Sequence, residues 1–278
     1  MKKLLALVFA LTMVLSLAAC GSSNDADKSG DTAGETVTLK VGATPTPHAE
    51  ILAVVKDDLA KQGINLEVTE YSDYVIPNTA VEDGELDANF FQHITYMEDS
   101  NASKGTHLVN AGNIHYEPMG IYAGKTTDLN NIPDGATIAV PNDATNEGRA
   151  LLLLQDLKLI EINPDAGLNA TPNDITSNPK NLKFKELDAA MLAQTREDVD
   201  LSIINSNFAI QGGLDPKTDA LASEDPQSDA AKAYTNIIAV KEGNENNEAI
   251  KALVAALQTE KVKEFIDTTY KGSVVAMF

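Results

Sequence analysis

Hydrophobic and polar residues near the start of the folded body alternate in the order strand, helix, strand. Val37–Val41 alternates apolar and polar positions, as a half-buried strand does. Apolar residues then recur at helical spacing; Thr46 and Pro47 suit the start of that helix, and Gly63 suits its end. Ile64–Tyr71 alternates again. This order predicts a right-handed βαβ unit and a parallel sheet.

Strand-like runs and helical stretches continue along the rest of the chain, which predicts an α/β body. Positions 161–181 are rich in Asn, Pro, Thr and Asp, and we expect a long loop with little regular structure there. The further predicted strands are Leu86–His93, His107–Ala111, Met119–Ala123, Thr137–Val140, Leu201–Ile204 and Ile237–Val240. The further predicted helices are Tyr74–Glu85, Arg149–Leu157, Leu187–Thr195, Asp229–Tyr234, Ala249–Gln258 and Lys261–Tyr270.

The size of this body favours two lobes. The polar segment Lys125–Pro133 precedes a fresh strand–turn–helix unit and is the predicted first crossing between lobes. The return is predicted at Ser223–Asp229, where a proline and several acids interrupt the pattern. The prediction is therefore a first lobe over 36–124, a second lobe over 125–228, and a return to the first lobe over 229–278.

The amino terminus has the layout of a secretory signal rather than of a membrane span. Two lysines precede the apolar run Leu4–Leu17, and small residues lead to Cys20, the single cysteine of the chain. The sequence LAAC resembles a bacterial lipobox, in which the cysteine is acylated and becomes the mature N-terminus. We therefore predict a signal peptide over 1–19, lipidation at Cys20, and a flexible tether over 20–35, whose small and charged residues cannot form a core.

The charge balance excludes one class of partner. The formal net charge is −20, from 21 Lys and Arg against 41 Asp and Glu. Nucleic-acid binding requires clustered cations, so we expect no nucleic acid as a partner. Hydrophobic residues make up 43% of the chain, enough for a packed core.

The segment Ile138–Lys158 carries the candidate chemistry. A short strand ends at Pro141, and a polar turn leads into a helix with Arg149 in its opening turns. The start of a helix presents unpaired N–H groups that attract anions, and a guanidinium binds a carboxylate through two parallel hydrogen bonds. We interpret the segment as a grip for the carboxylate of a small ligand. The alternative, a strand–turn–helix unit with an ordinary surface arginine, stays open at this point.

Five motifs occur in an order that resembles one family. They are YSDYVIPN (71–78), DANFFQH (87–93), EPMGIY (117–122), AVPNDATNEGRALLLLQ (139–155) and NPKNLKFKELDAA (178–190). Together with the lipobox they resemble the methionine-binding lipoproteins of bacterial ABC importers, the MetQ or NlpA type. The resemblance implies a two-lobed, periplasmic-binding-protein-like α/β fold of type II with two crossing segments. It also implies a lipid-anchored protein on the extracytoplasmic face of the cell membrane, which delivers methionine to an ABC permease driven by a cytoplasmic ATPase.

The resemblance also implies residues for the charged end of the ligand. Arg149 and Asn146 match the family's NxGR pattern and would hold the carboxylate. Asn205 follows a predicted strand, at the position where ligands bind in open α/β sheets, and matches an asparagine that binds the polar end. Asn207, close to Asn205, is a weaker candidate, and His115, between Ile114 and Tyr116, could also reach the cleft. For Asn205, an ordinary role in a turn remains the alternative.

The implied residues around the apolar end are Tyr71, Tyr74, Phe90 and His93, because a thioether packs well against aromatic rings. Phe90 and Phe91 are adjacent and point to opposite faces of a strand, so at most one of them lines the cleft. We predict Phe90 on the cleft side.

Other ligands and other classes of protein are weighed against L-methionine. D-methionine, a methionine-containing dipeptide or another apolar amino acid are the alternative ligands. A zinc-binding lipoprotein would use several histidines, but no two of the four lie at close ligand spacing, so no metal is predicted. A secreted enzyme would need a nucleophile elbow or a zinc motif, and neither is present, so we predict no catalytic residue and no cofactor. The histidines are His48, His93, His107 and His115.

Overall fold

Two main sheets organise the chain in this computed structural model, which describes residues 36–228 and 230–278. The predicted signal peptide, Cys20 and the predicted tether lie outside the described residues. Within the described ranges, no helix is long and apolar enough to cross a membrane.

The strands and helices are numbered in chain order. Strands β1 to β13 are Val37–Ala43, Ile64–Glu70, Ala88–Phe90, Leu108–Tyr116, Gly120–Ala123, Thr137–Pro141, Glu161–Ile162, Ile175–Ser177, Lys183–Leu187, Leu201–Ile204, Ala220–Ser223, Thr235–Lys241 and Val275–Ala276. Helices α1 to α9 are Glu50–Ala60, Pro77–Glu82, Ile94–Lys104, Ala144–Asp156, Leu192–Thr195, Ser206–Gln211, Ala230–Ala233, Glu248–Leu257 and Glu260–Tyr270.

The first sheet has six strands in the order β13-β4-β12-β3-β1-β2. β1 pairs in parallel with β2 across the α1 crossover, which confirms the predicted βαβ unit. The apolar face of α1 is buried in the core that the first sheet shares with α8 and α9. The predicted start of this helix is wrong, since α1 begins at Glu50. A turn of π-helix over Pro45–Ala49, with Thr46 in an extended conformation, precedes it, and Thr46 does not cap it.

The second sheet has five strands in the order β11-β5-β10-β6-β9. Its centre is parallel, with β6 between β9 and β10, and β5 adds on in antiparallel orientation. The edge strand β9 was not predicted, because an edge strand that buries little has no clear apolar alternation: no residue of Lys183–Leu187 is fully buried. Leu151, Leu154, Ile138 and Ile203 belong to the core under this sheet.

The chain changes sheet between β4 and β5, at 117–119, and returns between β11 and β12. The first crossing predicted at Lys125–Pro133 is therefore placed too late, because Gly120–Ala123 already pairs with β10 and β11 in the second sheet. We use "first lobe" for the six-stranded sheet with α1, α2, α3, α8 and α9. "Second lobe" means the five-stranded sheet with α4, α5 and α6. The exact residue bounds of the lobes stay a prediction.

Helix α4 lies against the backbone of the segment after β7. A Cβ atom added at Gly148 would meet the carbonyl oxygen of Leu168 at 2.1 Å and its carbonyl carbon at 2.9 Å. Both atoms belong to backbone, so a flexible side chain cannot move aside to relieve the contact. Gly148 therefore permits the close approach of α4 to the segment 164–169.

We predict that Gly148→Ala destabilises the protein. The better helix propensity of alanine contributes about 1 kcal/mol in favour of the variant. Overpacking against backbone costs about 1–3 kcal/mol or more, so the clash outweighs the gain. Urea unfolding followed by circular dichroism would measure the loss. Ser103→Ala, at an exposed position of α3, is the control and should change the free energy of unfolding by less than about 0.5 kcal/mol. A Gly148→Ala variant as stable as the wild type would contradict the close approach.

Candidate functional site

A pocket lies between the two lobes and is lined by side chains of both. The first lobe provides aromatic and polar side chains, the second lobe provides mainly amides and a guanidinium, and the crossing segment provides a carboxylate. The lining residues are Tyr74, Phe91, Gln92, His93, Tyr96, Glu117, Asn146, Arg149, Asn205, Ser206, Asn207 and Asn236.

Five of the residues predicted for the site line this pocket. They come from widely separated positions of the sequence, and the fold brings them together from both lobes. What each of them does to a ligand stays a prediction. The five residues are Arg149, Asn146, Asn205, Tyr74 and His93, and the weaker candidate Asn207 lines the pocket as well.

The choice of Phe90 over Phe91 is wrong. The short strand β3 turns Phe90 into the core of the first lobe, where its ring lies 4.7 Å from the ring of His48 and 5.2 Å from the ring of His115. Alternation then places Phe91 on the opposite side, where it lines the pocket. The sequence pattern indicated that at most one phenylalanine faces the cleft but could not show which side of the sheet carries the core helices.

Tyr71 and His115 do not line the pocket. Tyr71 is half-buried and packs beside Gly42, with ring atoms 3.0 Å from the position of a Cβ there. His115 is fully buried behind the pocket wall, and its Nε2 lies 2.7 Å from Oε1 of Glu117. Tyr71 therefore contributes to the core of the first lobe, whereas His115 reaches the pocket only through Glu117.

The start of α4 is already capped by the protein. Asp143 is the N-cap, and its carboxylate accepts from the backbone N–H of Asn146 at 3.0 Å. Because α4 begins at Ala144, Arg149 lies in its second turn rather than at its opening. The helix start is therefore occupied by a carboxylate of the chain itself, and the predicted anion site at that position is not free.

The guanidinium of Arg149 is buried and already paired. Nε and Nη2 donate to the carboxylate of Glu224 at 2.8 and 2.5 Å, and Nη2 also donates to the carbonyl of Glu117 at 2.7 Å. Its Cζ lies 4.3 Å from the ring centre of Tyr234, which adds a cation–π contact. The protein thus supplies the bidentate carboxylate that the sequence predicted for the ligand. Nη1 is the guanidinium nitrogen without a hydrogen bond among the described residues.

Glu224 joins the two crossing segments. It lies directly after β11, at the start of the return crossing. Its Oε2 accepts from the hydroxyl of Tyr116, the last residue of β4, at 2.6 Å and from the backbone N–H of Met119, in the first crossing, at 2.8 Å. The same carboxylate binds Arg149 on α4. One buried ion pair therefore connects both crossings with the second lobe.

Hydrogen bonds also join the lobes across the pocket. Nε2 of His93, in the first lobe, lies 3.2 Å from Oδ1 of Asn146, in the second. That oxygen also accepts from Nδ2 of Asn205 at 2.8 Å. Nδ1 of His93 accepts from the N–H of Tyr96, which leaves the proton on Nε2 to donate to Asn146. Asn146 therefore positions its neighbours, with its own Nδ2 bonded to Asp143.

Two amide atoms in the pocket are buried without a partner in the described residues. They are the acceptor Oδ1 of Asn205 and the donor Nδ2 of Asn207. The other end of each amide is used, since Oδ1 of Asn207 accepts from the hydroxyl of Tyr74 at 2.6 Å. An unpaired buried polar atom is costly, so this pair of atoms marks where a ligand's polar groups would be most stabilising.

Part of the pocket lining is aromatic. Tyr74 packs against Phe91 and Tyr96, with ring centres 5.6 and 5.7 Å away. The hydroxyl of Tyr96 donates to the carbonyl of Tyr74 at 3.0 Å, which holds the two residues together. Polar atoms and aromatic surface therefore line the same pocket.

The structure does bring histidines together, contrary to what their spacing in the sequence indicated. One carboxylate oxygen of Glu117 lies 2.7 Å from Nε2 of His115 and 3.4 Å from Nε2 of His48, in a buried cluster that could hold a metal ion. Nδ1 of His48 already accepts from the hydroxyl of Thr44 at 2.6 Å. Nδ1 of His115, however, has no acceptor among the described residues, whereas metal-bound histidines donate this second N–H to a partner. The cluster therefore fits a hydrogen-bonded network better than a metal site.

Sequence reasoning missed several residues of the pocket. Glu117 carries the most chemistry, since burial raises the pKa of its carboxyl group in a pocket that also contains Arg149. Glu117 stands in the EPMGIY motif, so the motif was the available signal. Tyr96 and Asn236 have no comparable signal, because only the packing of α3 and β12 brings them to the pocket.

We predict that removing the charge of Glu224 destabilises the fold strongly. Glu224→Ala would leave the buried Arg149 guanidinium without its carboxylate, and breaking a buried pair costs about 3–5 kcal/mol. Urea unfolding at neutral pH would measure this loss. The matched control is Glu197→Ala, whose pair with Arg196 is largely exposed and should contribute at most about 1 kcal/mol. Equal losses in both variants would contradict the role of the buried pair.

We also predict that stability falls in acid. Burial lowers the pKa of His48 to about 4, and the pKa values of His93 and His115 to about 3. In the unfolded chain histidines titrate near pH 6.5, so the stabilisation is complete above about pH 6.5 and is lost as the pH falls towards 4. The raised carboxyl pKa values of Glu117, Asp143 and Glu147 act in the opposite direction and offset part of this loss.

The free energy of unfolding from urea titrations at pH 6.5 and 4.5 tests this prediction. His115→Gln keeps a donor for Glu117 but cannot titrate, so its stability should fall less steeply than that of the wild type. His107→Gln alters an exposed ring and should leave the slope unchanged. A wild-type slope in His115→Gln would show that the buried imidazole does not contribute.

Comparisons with known proteins agree with the motifs. The profile of the NlpA lipoprotein family matches residues 39–278. The methionine-binding lipoprotein MetQ of Bacillus subtilis is 41% identical over 279 residues, covering 99% of this chain and 98% of that protein. The D-methionine-binding lipoprotein MetQ of Escherichia coli is 37% identical, covering 98% of this chain and 97% of that protein.

The solved structures extend this likeness to the fold. A nutrient binding protein from Burkholderia cenocepacia, solved bound to methionine, has a TM-score of 0.82 and 44% identity, covering 86% of this chain and all of that one. This likeness confirms the predicted two-lobed α/β fold of a substrate-binding protein. The chain belongs to the NlpA lipoprotein family, whose members are substrate-binding transport proteins and not enzymes.

Proposed function

We propose that the protein binds methionine as a zwitterion in the pocket between its lobes and delivers it to an ABC permease. The observation that carries the proposal is that buried opposite charges, amide atoms without a partner among the described residues, and aromatic rings line one pocket. A free amino acid has two charged ends that must both be satisfied when it leaves water, and an apolar side chain that gains by leaving it.

Acceptors are available for the ligand's ammonium group. The carboxylate of Glu117 faces the pocket, and Oδ1 of Asn205 is buried and unpaired. An ammonium has three donors and no acceptor, so it fits a carboxylate beside an amide oxygen. A bound ammonium would also favour the charged form of Glu117, whose pKa burial raises in the empty pocket.

Donors are available for the ligand's carboxylate. Nδ2 of Asn207 is buried and unpaired, and Nη1 of Arg149 is the guanidinium nitrogen that the chain leaves unused in the described residues. Because Glu224 occupies the other edge of the guanidinium, we infer a single charge-assisted hydrogen bond from Arg149 rather than a bidentate one.

The side chain of methionine would contact the aromatic part of the pocket lining. Tyr74, Phe91 and Tyr96 pack against one another there. A thioether sulfur beside aromatic rings gains about 0.3–1.5 kcal/mol beyond its burial, which favours methionine over an aliphatic side chain of similar size.

Ligand binding would favour the closed arrangement of the lobes. The described state is closed at the pocket, since His93 bonds to Asn146 and Tyr74 bonds to Asn207 across the cleft. A ligand that contacts both lobes binds this arrangement better than an open one and shifts the population towards it. Closure would then be the signal that a permease reads.

Membership of the family supports a proposal for where the protein acts in the cell. We propose that Cys20 is lipidated after removal of residues 1–19, and that the chain 20–35 tethers the body at the extracytoplasmic face of the cell membrane. The Bacillus subtilis and Escherichia coli relatives are named as lipoproteins, which supports the lipid anchor. A permease and a cytoplasmic ATPase would complete the importer.

We predict that Asn205→Ala weakens methionine binding by about 1–3 kcal/mol, which is roughly five- to 150-fold in Kd. The variant removes both the acceptor for the ammonium and the bond to Asn146. Isothermal titration calorimetry of the protein, unfolded and refolded to remove retained ligand, measures the change. Asn65→Ala, an exposed residue of β2, is the control and should bind as the wild type does.

The same titrations with D-methionine, leucine and a methionine-containing dipeptide decide the ligand. The tightest Kd for L-methionine is the expected result. A preference for D-methionine, the ligand named for the Escherichia coli relative, would change the stereochemistry of the proposed ligand but keep the proposed site. Wild-type protein that binds none of the four would overturn the proposed function.

A further inference from the structure

A second concave space lies next to the pocket. It is a groove between the lobes with about 720 Å³ of empty space, and it opens to solvent. Ser72 of the first lobe forms one side, and Met191 and Gln211 of the second lobe form the other. Met191 is 44% exposed and contributes apolar surface.

One pair of aromatic rings separates the groove from the pocket. Phe208 lines the groove and is itself buried, whereas Tyr74 lines the pocket. The two ring centres lie 4.8 Å apart with the planes tilted by 40°, so the rings are in direct contact. The partition between pocket and groove is therefore one aromatic pair thick at this point.

The partition is held in place from both sides. The hydroxyl of Tyr74 donates to Oδ1 of Asn207, one residue before Phe208 on α6. On the first-lobe side, Phe91 and Tyr96 support the Tyr74 ring. The ring thus cannot move towards the groove without losing a buried hydrogen bond, and it cannot move into the pocket without displacing two aromatic neighbours.

We propose that Tyr74 and Phe208 set the length of the side chain that the pocket accepts, and that the groove behind them is a latent subsite for longer apolar side chains. The inference rests on the proposed function, because it assumes that the ligand's side chain packs against the aromatic residues of the pocket. With both rings in place, the wild-type pocket accepts a ligand side chain about as long as that of methionine. Removal of either ring joins the two spaces and gives additional methylenes an apolar surface to contact, each worth about fourfold in affinity.

The test compares methionine with its S-butyl homologue, in which n-butyl replaces the S-methyl group. The measured quantity is the ratio of the two Kd values from calorimetry on the full-length protein. The wild type should bind methionine and discriminate against the homologue. Tyr74→Ala should shift the ratio towards the homologue by about tenfold or more. Phe208→Ala, which does not alter the lining of the pocket, should shift it in the same direction.

Two further variants separate the partition from other effects of the same residues. Tyr74→Phe loses the bond to Asn207 but keeps the ring, so both ligands should weaken together and the ratio should stay at the wild-type value. Phe91→Ala enlarges the pocket away from the groove and should not favour the homologue. Circular dichroism and thermal unfolding check the fold of each variant, and Phe208→Ala tests the inference if Tyr74→Ala does not fold.

The outcomes distinguish the two proposals. Wild-type protein that binds methionine, with an unchanged ratio in Tyr74→Ala and Phe208→Ala, would overturn the partition alone. A shift of the same size in Phe91→Ala would also overturn it, because any enlargement would then suffice. Wild-type protein without affinity for methionine would overturn the proposed function, and the partition with it.

Discussion

The buried ion pair between Arg149 and Glu224 is the constraint on which the site depends. It connects α4 of the second lobe with the return crossing, and the same carboxylate accepts hydrogen bonds from Tyr116 at the end of β4 and from Met119 in the first crossing. Both charges are almost fully removed from water, so neither can lose its partner without a large cost. The two crossing segments therefore fix the position of the Arg149 guanidinium in the pocket.

The pocket exists because the lobes meet, since neither lobe contains it alone. Aromatic residues come from the first lobe, amides and a guanidinium come from the second, and Glu117 comes from the crossing between them. Hydrogen bonds to Asn146 and Tyr74 satisfy one end of the amides of Asn205 and Asn207, and the other end has no partner among the described residues. A small polar group that pairs with these atoms would remove the cost of leaving them buried without a hydrogen bond.

The buried histidines show how environment changes the meaning of a residue. In the sequence, His48 and His115 lie far apart and gave no sign of a cluster. The fold places both against one oxygen of Glu117, where burial keeps the rings neutral and able to act as donors. This network contacts the Glu117 carboxylate from the core of the first lobe, and a ligand would contact it from the pocket.

The sequence by itself determined the periodic elements, their α/β order, the lipobox and the family, because apolar spacing and ordered motifs are local properties of the chain. It also identified Arg149 and Tyr74 as residues of the pocket, because each lies in such a motif, and Asn205, because it follows a predicted strand. Only the tertiary structure decided that Phe91 rather than Phe90 faces the pocket, since the side on which helices cover a three-residue strand is a property of the whole lobe. The same holds for Glu224 as the partner of Arg149, 75 residues away, because a pairing across crossing segments leaves no periodic trace in the sequence.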